Sequence, residues 1–489
     1  MKRTDRFACL LAALLMVLPL ASCGENASAE TQSADTAADT AAVETEPADP
    51  LEHLPTPDYE GYDFRLNLRN DDKWVADQIA EEMNGEVVND AVYKRNSETM
   101  DRYNIIISHT RSSNSNGDMD AKAAIQAGDD AYDLIINHPR NIHEYANQGL
   151  ARNWNDLTHV DLSAAWWDQD AAESFRMPDG GIYCMLGDIS HESIGATNAM
   201  LFNKDIFDDN GLDYPYETVK EGKWLLDTFI GMVETYARDL DGDGAIGEND
   251  LYGYATHRWI GPVQAFYSSG ARVIAKGSDT FEFDVYNERS ITMFEKYFAL
   301  LDSQYTYLDT QSVQSIACLP IEMFPEERAM FIDVNITSVL NMREMDANFG
   351  IIPWPKLEEE DDHWSNVDAG TNMPFVPITV VDMDRTSLVI ETLAILGKEY
   401  VTPSYYEVAL KTRDSRDTES AEMLDLILQN RVFDLGYYNT TFGGNYASHF
   451  AEICTQTNRD FTSWYESKLK ASTASRDKII KTYEDRAAE

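Results

Sequence analysis

Tyr62-Asp63-Phe64-Arg65-Leu66-Asn67-Leu68 is the stretch that decides the fold. Its apolar residues fall at every second position, the period of a strand with one face turned to a core. Reading outward, a helical pattern runs from Asn89, with Val92, Thr99, Met100 and Tyr103 along one side. A β-branched strand at Ile105-Ile106-Ile107, a helix over 121–127 and a strand over 132–136 follow. Strand and helix in alternation predict a parallel, doubly wound α/β sheet. Ligands of such sheets sit off the carboxyl ends of the strands, so loops 69–74, 110–118 and 137–141 form the exposed rim. Residues 287–301, 389–396 and 461–483 read as amphipathic helices.

The chain has 489 residues, more than the roughly 250–300 at which one core stops growing, so two or more lobes are expected. An apolar content of 43% excludes a wholly disordered chain. A net charge of −46 repels phosphate backbones, which excludes a nucleic-acid partner. None of the five cysteines forms a C-x-x-C pair, so no zinc site or dense disulfide framework is signalled. Cys184, within Ile182-Tyr183-Cys184-Met185-Leu186, reads as a buried, inert thiol.

The N-terminus gives a compartment. Lys2, Arg3 and Arg6 precede an apolar run from Phe7 to Ala21 that ends in Leu20-Ala21-Ser22-Cys23. A basic start followed by an apolar run this short is a secretory signal. Small residues before Cys23 match the lipobox at which a signal peptide of residues 1–22 is cleaved and Cys23 lipidated. A protein anchored by lipid outside the cytoplasmic membrane is expected. Residues 24–58 contain no aromatic residue, Lys or Arg, so 23–58 reads as a disordered acidic tether and the folded part as starting near Tyr59.

Residues 239–250 carry the most specific motif: Asp239, Asp241 and Asp243 at positions 1, 3 and 5, Gly244 at 6, Ala245 at 7 and Asp250 at 12. This fits a twelve-residue calcium loop, with Ala245 offering its carbonyl and Asp250 standing where Glu is usual. A single loop in an extracellular protein predicts structural Ca²⁺ held at about 10⁻⁴–10⁻³ M.

Phosphate-binding, dinucleotide-binding, zinc-protease and nucleophile-elbow motifs are all missing. What remains is aromatic: Trp166-Trp167-Asp168, His257-Arg258-Trp259 and His363-Trp364-Ser365-Asn366. Indoles beside Asp, Asn or Arg suit a sugar, whose C–H face stacks while its hydroxyl rim takes hydrogen bonds. The alternative for each Trp is a place in the core.

Several strings in fixed order extend this. Trp166-Trp167-Asp168 leads to Gly187-Asp188-Ile189-Ser190, Leu201-Phe202-Asn203-Lys204 and Glu221-Gly222-Lys223-Trp224. Leu251-Tyr252-Gly253, Arg328-Ala329-Met330-Phe331-Ile332, Gly350-Ile351-Ile352-Pro353 and Tyr405-Tyr406-Glu407-Val408-Ala409-Leu410-Lys411 follow. In this order, behind a lipobox and tether, the chain resembles the extracellular solute-binding lipoproteins of bacterial carbohydrate ABC importers, the branch that includes maltose-binding protein. Residues 366–374 depart from that family's more aromatic pattern.

The resemblance implies an α/β, two-lobed periplasmic-binding-protein-like fold with a hinge and an interlobe cleft. It maps one lobe to 59–165 and 315–350 and the other to 166–314 and 351–489. It implies a monomer that is not an enzyme, holds a carbohydrate in the cleft and delivers it to the permease. By loop position and residue type, the expected ligand contacts are Asn70, Asp71 and Arg140 from one lobe and Asp188, Arg258 and Trp259 from the other, with Trp364 and Asp368 beside them. The competing reading is a secreted, lipid-anchored glycoside hydrolase, since 85 acidic residues leave paired carboxylates available anywhere.

Overall fold

A computed structural model describes residues 49–488, apart from 116, 118, 248, 278–279, 313–316, 343–347 and 408–416. The expected signal peptide, Cys23 and the expected tether as far as residue 48 lie outside the described residues. The end of the expected tether does not. Leu51 and Leu54 are buried in the cluster that holds Phe64 and Tyr103, and their carbonyls accept from Arg102 Nη2 at 2.8 and 3.1 Å. Two leucines and an arginine clamp therefore start the folded part before Tyr59.

The opening strand forms as its alternation predicts. Tyr62–Leu68 pairs in parallel with Ile105–Arg111 on one side and with Leu134–Asn137 on the other. Phe64, Leu66 and Leu68 enter the core. Asp133 fixes the strand start: it accepts from the Arg65 backbone N–H at 2.8 Å, Arg65 Nε at 2.9 Å and the Tyr62 hydroxyl at 2.9 Å. Helix Val87–Tyr103 buries Val92, Thr99 and Tyr103, and Asn104 ends it in the left-handed conformation, returning its N–H to the Met100 carbonyl. A fourth strand, Met373–Phe375, comes from far along the chain and pairs antiparallel with Leu134–Asn137.

The second sheet has five strands, in the order Phe349–Ile352, Asn198–Asn203, Ala329–Asn335, Tyr252–His257 and Thr306–Asp309. Asn198–Asn203 runs antiparallel to both its neighbours, and Tyr252–His257 parallel to both of its own. The three central strands are buried along their whole length, so helices cover both faces. On the middle strand the fully buried Asp333 accepts from Thr256 Oγ1 at 2.6 Å, from Trp354 Nε1 at 2.5 Å and from the Tyr254 hydroxyl.

This topology corrects the expected lobes. Residues 329–335 and 349–352 belong to the second sheet, not to the first lobe. Part of 351–489 moves the other way: Met373–Phe375 completes the first sheet, and helix Met383–Leu396 packs Leu388, Val389 and Leu393 against Phe64 and Leu66. The Tyr103 hydroxyl meets Thr392 Oγ1 at 2.7 Å in that contact. The chain thus passes between the lobes in segments 138–197 and 353–372, and a third passage begins at residue 397.

Glu391 ties the first crossing to the first lobe. Its carboxylate accepts from the indoles of Trp166 at 2.9 Å and Trp167 at 3.0 Å, and Trp154 meets Trp167 edge-on at 5.4 Å. Trp167 is thereby a core residue, the alternative left open for it. Burial pushes the Glu391 carboxyl up to about 7, against the donors that lower it. A carboxyl whose folded value is raised keeps its proton longer in the native state, so its contribution is present at low pH and fades as pH rises from about 4.5 to 7. In urea titrations the wild type should gain on the order of 1–2 kcal/mol more than Glu391→Gln on going from pH 7.5 to 5. Equal gains would show that Glu391 does not titrate in this range.

Candidate functional site at the facing strand ends

A backbone segment that bonds to both sheets locates the site. The Asp368 N–H donates to the Ala196 carbonyl at 2.8 Å, just before the second-sheet strand Asn198–Asn203. Two residues later, the carbonyls of Gly370 and Thr371 accept from Arg69 Nη1 at 2.9 and 3.2 Å, at the carboxyl end of Tyr62–Leu68. Strand ends of both lobes therefore meet within four residues of one crossing, where an α/β sheet places its ligand.

Each wall follows from its local sequence. Arg69 is buried, lies 3.8 Å over the Trp74 ring and donates through Nε to the Ser115 carbonyl at 2.7 Å. Burial lowers its guanidinium to about 10, opposed by Glu192, Asp71 and Asp368, so it stays cationic at neutral pH. At the end of Leu134–Asn137, His138 caps helix Pro139–Asn147 by accepting the Arg140 N–H on Nδ1 at 3.2 Å. Burial, then the nearby Arg69 and Arg140, hold His138 well below its usual value and thus neutral.

On the second lobe, His257 ends its strand with Nε2 3.0 Å from the Ser312 carbonyl and Nδ1 accepting the Trp259 N–H at 3.3 Å. Both contacts fit the neutral Nε2–H tautomer, and burial lowers the His257 value accordingly. Asp368 lies between these walls. Its carboxylate accepts from the Tyr437 hydroxyl at 2.6 Å and the Gly370 N–H at 2.7 Å, and Arg140 sits 5.9 Å over the Tyr437 ring.

Buried polar groups are nearly always hydrogen-bonded. Here Arg140 Nε, Arg258 Nε, Thr371 Oγ1 and both side-chain atoms of Asn366 are buried without a protein partner among the described residues. They are donors and acceptors left free within the fold.

Of the expected contacts, Arg140 and Asp368 meet at Tyr437, while Arg258 and Trp259 follow His257 at the end of the second-lobe strand. Asn70 and Asp71 stand on the rim: Asn70 is exposed, and Asp71 caps helix Asp72–Ala76 by accepting the Lys73 N–H at 3.1 Å. Asp188 is placed elsewhere. It braces two crossings, accepting from Thr402 Oγ1 at 2.6 Å with Lys398 Nζ at 3.7 Å. Trp364 also lies away from Asp368, with Arg272 stacked 5.1 Å over its ring beyond the end of helix Gly261–Ser268. The residues left out of the expected contacts are Arg69, Trp74, Tyr437 and Asn366, the last from a cluster the sequence had marked. Arg69 and Trp74 bound the rim loop that the strand pattern had marked, so their signal was present; Tyr437 carried none.

In the acidic loop, Asp239, Asp241 and Asp243 each offer an oxygen within 4.8 Å of the others, all exposed. Asp250 does not join them. One of its oxygens accepts the N–H of Leu240 at 2.7 Å and Asp241 at 3.2 Å, the other that of Gly247 at 2.6 Å, which hold it below the usual carboxylate range. One methylene shorter than Glu, it closes the loop on its own amides. Cys184, Cys318 and Cys454 are free and buried. Among the described residues no helix is long and apolar enough to cross a membrane.

No protein-family model matches the chain, and no curated protein matches it in sequence. Solved structures do. An ABC substrate-binding protein from Listeria monocytogenes in complex with cycloalternan aligns with TM-score 0.54 and 14% identity, over 86% of this chain and 99% of that one. The GacH receptor of Streptomyces glaucescens, solved unliganded and with acarbose, aligns at 0.54 and 12%, over 87% and 99%. A cyclo/maltodextrin-binding protein complexed with maltotetraose gives 0.55 and 12%, over 87% and 97%. The chain has the fold of these proteins: two α/β lobes joined by crossing segments.

Replacing Tyr437 with Phe removes one donor from a carboxylate between the lobes. It should lower stability by about 1.5–3 kcal/mol in urea titrations; an unchanged midpoint would mean that solvent already serves Asp368.

Proposed function

We propose that this protein is the carbohydrate-capturing component of an ABC importer: it closes two lobes around a saccharide and passes it unaltered to a permease. The convergence of both lobes on Asp368, with aromatic rings and unpaired polar atoms on facing walls, is the observation that carries the reading. The likeness in fold to proteins solved with cycloalternan, acarbose and maltotetraose supports it. Trp259 and Trp74 stack on C–H faces; Arg140, Arg258, Asn366 and Thr371 bond to hydroxyls. Because the ligand touches both walls only in the closed arrangement, binding draws the population there. The Asp188–Thr402 contact holds two crossings together while the lobes turn.

The same proposal places the protein outside the cytoplasmic membrane as a monomer, anchored through lipid on Cys23 after removal of residues 1–22. It also gives Ca²⁺ to Asp239, Asp241, Asp243 and the Ala245 carbonyl, where the ion relieves repulsion among three carboxylates without taking part in sugar binding. With a dissociation constant near 10⁻³ M, about 10 mM Ca²⁺ should add about 1.4 kcal/mol of stability. A thermal melt of Asp239→Asn should lose that increment; an increment that survives the change would take the ion away from this loop.

Calorimetry with an oligosaccharide panel, coupled to an assay for new reducing ends, tests the main reading. Stoichiometric binding without product is expected, and turnover would replace the transporter with a hydrolase. Trp259→Ala should weaken binding by about 1–3 kcal/mol. Trp364→Ala should leave it unchanged. The reverse pattern would move the site.

A further inference from the structure

Acidic side chains outnumber basic ones by 85 to 39, and every described arginine but two either pairs with an acid or, like Arg69, Arg95, Arg152 and Arg486, donates to carbonyl oxygens. Arg65 pairs with Asp133, Arg289 with Asp361, Arg431 with Asp168 and Arg476 with Glu282. Two arginines in the site break the pattern. The guanidinium of Arg140, on the first lobe, lies 5.9 Å over the Tyr437 ring, and that of Arg258, on the second, 5.7 Å over the Trp259 ring. Neither donates a hydrogen bond among the described residues, and Nε of each is buried.

The nearby acids keep their charge but aim their oxygens at other donors. Asp368 holds Tyr437 and Gly370, and Asp71 caps its helix. Glu192 lies 3.4 Å from Lys73 Nζ, and Asp309 accepts the N–H groups of Gln311, Ser312 and Leu319 at 2.9–3.0 Å. His138 and His257 are neutral, so they neither add to nor cancel the charge.

A carboxylate or sulfate oxygen matches the guanidinium fork, and one cation on each lobe gives an anion contacts with both. A neutral sugar offers the two guanidinium forks only single hydroxyls; an anionic one fills a fork with paired oxygens. We infer that the ligand is an anionic saccharide, an oligosaccharide bearing uronic-acid carboxylates or sulfate esters, held between Arg140 and Arg258. The inference rests on the carbohydrate reading above and narrows it.

Calorimetry on the whole protein tests it with three sets of disaccharides: uronic-acid dimers, their neutral hexose counterparts and the sulfated hexose dimers. At low ionic strength an acidic member should bind at least tenfold tighter than its neutral counterpart, and that margin should shrink with added salt. Arg140→Gln and Arg258→Gln should each lose tenfold or more for the acidic ligand while the neutral one changes less than threefold. A margin confined to uronates assigns carboxylate, and one confined to sulfated dimers assigns sulfate. Neutral dimers binding as tightly as acidic ones, or a double Gln variant that keeps the margin with an unchanged melting temperature, overturns the inference and leaves the carbohydrate reading standing. Binding of none of the three sets overturns both.

Discussion

Residues 368–371 join the two halves of this molecule through backbone hydrogen bonds. Their N–H reaches the Ala196 carbonyl and their carbonyls take the Arg69 guanidinium, so the carboxyl ends of the first sheet and the strand ends of the second must face one another. Tyr437 completes the tie by holding the Asp368 carboxylate between the walls. Close backbone approach supports the arrangement behind it. A side chain at Gly397 would put its Cβ 1.9 Å from the Asp188 carbonyl oxygen, so only glycine lets the first and third crossings lie against each other.

The first lobe was legible because its signals are local. Period-two alternation at Tyr62–Leu68, the stripe ending at Tyr103 and the β-branched run at Ile105 each dictate one element. Lobe membership was not legible. Asn198–Asn203 and Ala329–Asn335 are buried on both faces, so they show no alternation to say which sheet they join, and Met373–Phe375 is too short to carry a pattern. The site fell between these cases. Rim loops followed from strand order, and Arg140 lies in one of them. Residue type does not give side-chain direction, which is why Asn70 was chosen over Arg69, and why Asp188 and Trp364 turned out to serve packing.

Charge is divided by location. Asp333 and Glu391 sit inside the lobes, each held by two or three donors and pushed by burial toward the neutral form. At the junction two guanidinium groups lack a hydrogen-bond partner among the described residues, and two histidines stay uncharged.

Closure of the lobes on a saccharide is the central claim, and a distance between the rims measures it directly. Spin labels at Asp72→Cys and Gln311→Cys would report it, with Cys9 and Cys23 changed to Ser and the three remaining thiols buried. Pulsed dipolar spectroscopy should show the distance shorten by several ångströms and its distribution narrow when a calorimetrically verified ligand is added. An identical distribution with and without saturating ligand would contradict the account.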